Sequence, residues 1–242
     1  MPDADASGEP GHGDRVPRAV LARRAWLSLV SLGAFMSVVL FGSAGTLRYR
    51  EGWVYLVLFV GLSGAVTQDL LRRDPALLER RLEGGPQAER RPAQRLIMVV
   101  ASLAFLSLLV VPGLDFRFGW TSVPLAGIVL GDLLFVVGFL FVGRVYRENS
   151  YTSATIEIQE GQRVIDTGPY AIVRHPMYSG ALLYVLGTPL ALGSYWGLLG
   201  FGLMLLVIVW RLQDEERMLA QELPGYAEYR QRVRWRLLPG VW

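Results

Sequence analysis

PMYSGALLYVLGTPLALGSYWGLLGFGLMLLVIVW, residues 176–210, decides the fold. The stretch is almost wholly apolar and is interrupted by Pro189 and by Gly193-Ser194, so it reads as two membrane helices running in opposite directions about a tight turn. At ~1.5 Å of rise per residue, 176–192 and 193–210 each reach ~26 Å, close to the hydrocarbon thickness of a bilayer. Polar residues flank both ends. Tyr170, Arg174, His175 and Tyr178 stand at the entrance, and Arg211, Asp214, Glu215 and Glu216 at the exit. A helical hairpin over 176–210 returns both clusters to one membrane face, side by side.

Outward from the hairpin, four further runs are long and apolar enough to span: 25–45, 53–71, 96–113 and 121–142. The expectation is an all-α integral membrane protein of about six transmembrane helices. Residues 1–17, rich in Gly, Pro, Asp and Ser, read as a disordered tail rather than a signal peptide. Residues 18–148 hold the first four spans and an Arg-rich loop, 72–95, in which 76–82 reads as a short amphipathic piece on the headgroups. Residues 149–242 form the remaining region: the helical hairpin and a cytoplasmic carboxyl-terminal segment. Alternation on either side of Glu160-Gly161 predicts a small β-hairpin ahead of Gly168.

All 24 basic residues are arginine, and the net charge is +3. Placement matters more than the sum. The tail, the 72–95 loop and the segment 144–174 are arginine-rich, whereas the intervening loops carry Arg48 and Arg50, then Arg117, then none. The positive-inside rule therefore puts both termini in the cytoplasm, as six spans require. Arginines at helix ends snorkel to headgroups, so the basic balance points to membrane lipids and not to nucleic acid. With no cysteine, disulfides, thiol nucleophiles and thiolate metal sites are excluded. His12 and His175 are too few for a histidine-rich zinc site, so no metal is expected. Chemistry must come from carboxylates, arginine, tyrosine, one histidine and a borrowed cofactor.

Within the spans, Gly127 with Gly131 and Gly193 with Gly197 have the spacing of packing seams. Asp132, well inside the fourth span, reads either as a functional carboxyl or as hydrogen-bonded glue between helices. Pro176 biases His175 toward an extended backbone and itself suits a first helical turn. The helix start beside Arg174 then favours an anion, by its free amides and dipole. Tyr170 and Tyr178 can offer a flat wall for a purine. Arg211 and Glu215, four apart, share a helix face, and Glu216 adds a second acid. Together the clusters make a pocket carrying both signs of charge.

RHPMY at 174–178, preceded by Gly168-Pro169-Tyr170 and followed by Glu215-Glu216 and then Gly225-Tyr226-Ala227-Glu228-Tyr229, resembles the isoprenylcysteine carboxyl methyltransferases and the related phospholipid methyltransferases. The resemblance runs mainly from 149 to the end. It implies a methyltransferase core over 149–242, S-adenosyl-L-methionine entering from the cytosol, and a lipophilic acceptor entering from the bilayer. By the same likeness Tyr170, Arg174, His175, Pro176, Tyr178, Glu215 and Glu216 would hold the cofactor, with Arg211 and Glu215 catalytic. The acceptor would be a lipid-like molecule, with a carboxylate favoured by Arg211, in what is taken to be a bacterial inner membrane. The upstream GxG of the phospholipid enzymes finds its nearest match in Gly200-Phe201-Gly202, inside a span, where packing explains it better.

Two other readings stay open. Membrane sterol reductases, which use reduced nicotinamide phosphate, share an RHPxY element and an ending similar to 234–240, but Met177 and Gly168-Pro169-Tyr170 fit the methyltransferases better. A noncatalytic membrane module is the third, resting on Asp132 and the number of spans.

Overall fold

The computed structural model describes residues 16–84, 87, 89, 92–155, 158, 159 and 161–242. These form eight α-helices and, among the described residues, no strand: α1 (Arg18–Ala44), α2 (Arg50–Arg73), α3 (Pro75–Leu82), α4 (Pro92–Phe118), α5 (Leu125–Glu148), α6 (Pro176–Ala191), α7 (Leu198–Glu222) and α8 (Tyr226–Arg232). The tail foreseen over 1–17 falls almost wholly outside the described residues, as do 156, 157 and 160 of the foreseen β-hairpin. The described flank of that hairpin makes a turn, with Gln162 N donating to Gln159 O at 3.0 Å, and no ladder.

Local chemistry sets the helix ends. Gly45, at φ 68°, takes the left-handed conformation that stops α1. Glu51 opens α2, and Arg72 and Arg73 close it, each charge opposing the local end of the helix dipole. Asp74 accepts from Leu77 N at 2.9 Å ahead of Pro75, a capped start that makes the arginine-rich connection helical in its middle.

Four helices, α1, α2, α4 and α5, are long and apolar enough to cross a membrane. In a water-soluble protein such helices would turn inward. Here no more than 33% of any apolar window is buried, and Val30, Val38, Val57 and Leu125 lie on the outer surface. The chain is an integral membrane protein. α6 is shorter, with Pro189 inside it, and α7 carries its charges in the second half, so the two helices expected to complete six spans do not meet the same length and composition.

Close backbone approach locks α6 onto α5. A Cβ added at Gly138 would meet Gly180 O at 2.6 Å, and one at Gly187 would meet Gly131 O at 2.5 Å. Only glycine permits this contact. Gly131 thus lies in a seam as expected, but its partners are on α6; Gly193, at φ 68°, is a turn residue instead. At the far end of α4 the buried Asp115 accepts from Thr121 N at 2.7 Å and from Ser194 Oγ at 2.5 Å, tying two loops together. An aromatic cluster fills the middle, with Tyr55 and Phe135 rings 5.0 Å apart.

Candidate functional site

At the start of α6, the sequence RHP does what its backbone preferences dictate: Pro176 occupies the first turn, and His175 caps it from outside with φ −125° and ψ 62°. The backbone amides just ahead of the helix are already paired. Arg174 N donates to Trp235 O at 2.9 Å and His175 N to Arg236 O at 3.0 Å, so the carboxyl-terminal segment lies across the helix start. The anion at this positive end is supplied by the chain itself. Glu216 Oε1 accepts from Arg174 Nε at 2.7 Å and from His175 Nε2 at 3.2 Å, while Oε2 accepts from Arg236 Nε at 2.8 Å. Arg174, His175 and Glu216 are all buried. Burial alone would raise the Glu216 carboxyl, but the hydrogen bonds from His175 and Arg174 outweigh it and hold the group below the usual carboxylate range.

Glu215 turns the other way. Tyr178 donates to its Oε2 at 2.6 Å, and Arg211 Nε donates to the same tyrosine oxygen at 3.2 Å. Arg211 is further held by Glu89 Oε1 at 3.0 Å, Gln94 Oε1 at 3.2 Å and Ala154 O at 2.8 Å. Its charge therefore has two acidic neighbours, one direct and one through Tyr178. On α7, positions 211, 215, 218 and 219 recur at helical spacing on one face, and all four line a cavity of about 700 Å³.

That cavity is the candidate active site, and its volume lies within the usual range for small-molecule sites. Of the residues singled out from sequence, Tyr170, Arg174, His175, Tyr178, Arg211 and Glu215 line it. Pro176 and Glu216 do not; Pro176 shapes the helix start, and Glu216 braces the cationic wall from behind. Tyr170 Oη accepts from Asn149 Nδ2 at 3.0 Å, and Tyr229 donates to Tyr170 O at 2.8 Å. Tyr226, 4% exposed, lines the cavity with its hydroxyl unpartnered among the described residues. Burial pushes the Tyr170 and Tyr226 hydroxyls up from the ordinary phenol range, so both keep their protons at neutral pH.

Sequence reasoning did not single out Asn149, Arg81, Glu89 or Arg236 as site residues. Asn149 and Arg81 line the cavity, whereas Glu89 and Arg236 hold its arginine and its acid in place. Tyr226, also not singled out, had a signal through its place in the Gly225-Tyr226-Ala227-Glu228-Tyr229 motif, and Arg236 had one through the 234–240 ending. Among the described residues, no three His, Cys, Asp or Glu side chains converge as a metal site would need.

Comparison with known proteins adds a second line. The model of the phospholipid methyltransferase family matches residues 126–224. A protein-S-isoprenylcysteine O-methyltransferase B of Arabidopsis thaliana is 32% identical over 146 residues, covering 57% of this chain and 70% of the relative. Its A counterpart from the same plant is 28% identical over 136 residues, covering 55% and 61%. A cobalt-zinc-cadmium resistance protein, CzcN, of Cupriavidus metallidurans is 30% identical over 112 residues, covering 44% and 50%.

Proposed function

Because the chain belongs to the isoprenylcysteine methyltransferase family and is a membrane methyltransferase, we propose that it transfers a methyl group from S-adenosyl-L-methionine to the carboxylate of a lipophilic, isoprenylcysteine-like acceptor. One observation carries the reading: Tyr170, Tyr178, Glu215 and Tyr226 surround one cavity of about 700 Å³ with aromatic faces, a carboxylate and an unpartnered hydroxyl. Such a wall suits a cationic sulfonium attached to an adenosine, since π faces and carboxylates both attract positive charge.

When bound, the donor supplies a methyl group already activated for in-line displacement. The protein's work is then alignment and exclusion of water, which can contribute ~7 to 11 kcal/mol. Tyr170, Tyr178, Tyr226 and Glu215 bind and orient the donor, with Arg174 and His175 held against Glu216 as the rigid back of the site. Leu32, Met98 and Met177 offer the apolar side to the acceptor's tail. Arg211, fixed by Glu89 and Tyr178, would stand near the acceptor's reacting group once both substrates are bound. A carboxylate arrives ionised and requires no general base.

The same reading makes α6 and the apolar half of α7 a hairpin that completes six spans, with the cavity opening at the cytoplasmic face of a bacterial inner membrane. The arginine-rich connections support that orientation. The test is calorimetric binding of S-adenosylhomocysteine and of reduced nicotinamide phosphate to the detergent-solubilised protein, followed by methyl transfer from isotopically labelled donor into N-acetyl-S-farnesylcysteine. Binding of the thioether together with a base-labile methyl ester supports the proposal. Nucleotide binding without either overturns it in favour of a reductase.

A further inference from the structure

We infer that Arg81, on α3, is the residue that receives the anionic end of the methyl acceptor; the inference rests on the carboxylate-acceptor reading above. Arg81 lines the cavity together with Leu32, Met98 and Met177. Its guanidinium carbon lies over the Tyr146 ring, 4.5 Å from the centroid, a cation–π contact that holds the head group at this wall. Among the described residues, Nη1 reaches only Thr152 O at 3.4 Å and Met177 Sδ at 3.9 Å, two weak acceptors, and no carboxylate lies within 4.0 Å. A half-buried cation with no carboxylate beside it among the described residues suits an anionic guest, because an uncompensated charge is costly to bury.

Arg211 is differently placed. Glu89 is in direct contact with it, and its three nitrogens already reach Tyr178, Glu89, Gln94 and Ala154. The two arginines are neighbours on one wall, because Arg81 bonds Thr152 and Arg211 bonds Ala154, two residues further on, while Met177 beside Arg81 adjoins Tyr178 beside Arg211. An acid held by Arg81 therefore lies next to the Tyr178, Arg211 and Glu215 cluster, with apolar surface from α1 and α4 for its tail. Arg163 also lines the cavity and has no carboxylate partner among the described residues, but it is exposed, where water weakens its hold on an anion. α3 lies outside the segment matched by the family model, so this specificity determinant belongs to the amino-terminal half of the chain.

The experiment measures methyl transfer into N-acetyl-S-farnesylcysteine, inhibition by the corresponding neutral alcohol, and S-adenosylhomocysteine affinity, for the full-length wild type, Arg81→Gln, Arg81→Lys and Arg163→Gln. Loss of a charge-assisted fork should raise KM for the acid roughly tenfold or more in Arg81→Gln, with kcat changed less than about twofold. The preference for acid over alcohol should collapse with it, thioether affinity should hold, and Arg81→Lys should recover part of the loss. An unchanged acid KM in Arg81→Gln with the thioether still bound, or a larger shift in Arg163→Gln, overturns the inference while leaving the methyltransferase intact. Should Arg81→Gln fail to bind the thioether, Arg81→Lys decides, since a KM equal to the wild type's contradicts a fork. A wild type that binds the thioether yet methylates no acid overturns the acceptor reading and this inference together.

Discussion

Glu215 and Glu216 are adjacent on α7, and their carboxylates serve different partners: Glu215 accepts from Tyr178 at the cavity wall, and Glu216 accepts from Arg174, His175 and Arg236 behind it. The ~100° turn per helical residue is enough to divide the pair between binding and bracing. Removing one partner of a buried ion network leaves the others uncompensated, typically at ~3 to 5 kcal/mol. Glu216→Gln should therefore lower the thermal unfolding midpoint markedly. Glu215→Gln should leave it close to wild type and weaken S-adenosylhomocysteine binding in calorimetry. The opposite pattern would exchange the two roles.

The bracing role also fixes a pH dependence. Glu216 has its folded pKa depressed below the ordinary 4.5, so its stabilising contribution is fully present above about that pH and is lost as pH falls through the lower folded value. The unfolding midpoint of the wild type should exceed that of Glu216→Gln by a constant margin from pH ~8 to ~5, and the margin should shrink in more acidic buffer. A margin independent of pH down to ~3 would mean that the ionised carboxylate is not what stabilises the site.

Much of this site was readable from composition and spacing. RHP at 174–176 announced a capped helix start, and Arg211 with Glu215, four apart, announced one shared face of α7; that Met218 and Leu219 extend this face along the cavity came only from the structure. What could not be read were partners supplied over long sequence distances. Trp235 and Arg236 lie about 60 residues from the amides and the helix start they cover, and Glu89 lies still further from Arg211. No local period encodes such meetings. The expected anion site at the α6 start was physically sound, but an internal glutamate fills it. The glycine seam was legible in kind, since Gly131 was flagged, yet its α6 partners Gly180 and Gly187 are set by how two helices dock.

Tyr226 gives a test that separates binding from stability. Its buried hydroxyl has no partner among the described residues, so deleting it removes an unsatisfied group and not an interaction. Tyr226→Phe should unfold at the same or a slightly higher temperature, while losing roughly five- to tenfold in S-adenosylhomocysteine affinity, the worth of one hydrogen bond. Unchanged affinity would remove this hydroxyl from the donor site.

The α5–α6 seam places the cavity because α6 carries His175 at its mouth and Tyr178 in its first turn. Gly187 has no room for a side chain: an added Cβ would sit 2.5 Å from Gly131 O and 2.7 Å from Phe135 N, both backbone atoms that cannot rotate away. Gly187→Val should force the helices apart, costing ~1 to 3 kcal/mol or more, and should weaken donor binding because Tyr178 moves with α6. Gly202, on α7, has nothing within 4 Å of an added Cβ, so Gly202→Ala should be neutral or should stabilise the helix by about 1 kcal/mol. Denaturation of both variants, with thioether binding measured on the folded fraction, checks the pair. Equal tolerance at the two positions would mean that α5 and α6 do not meet backbone to backbone.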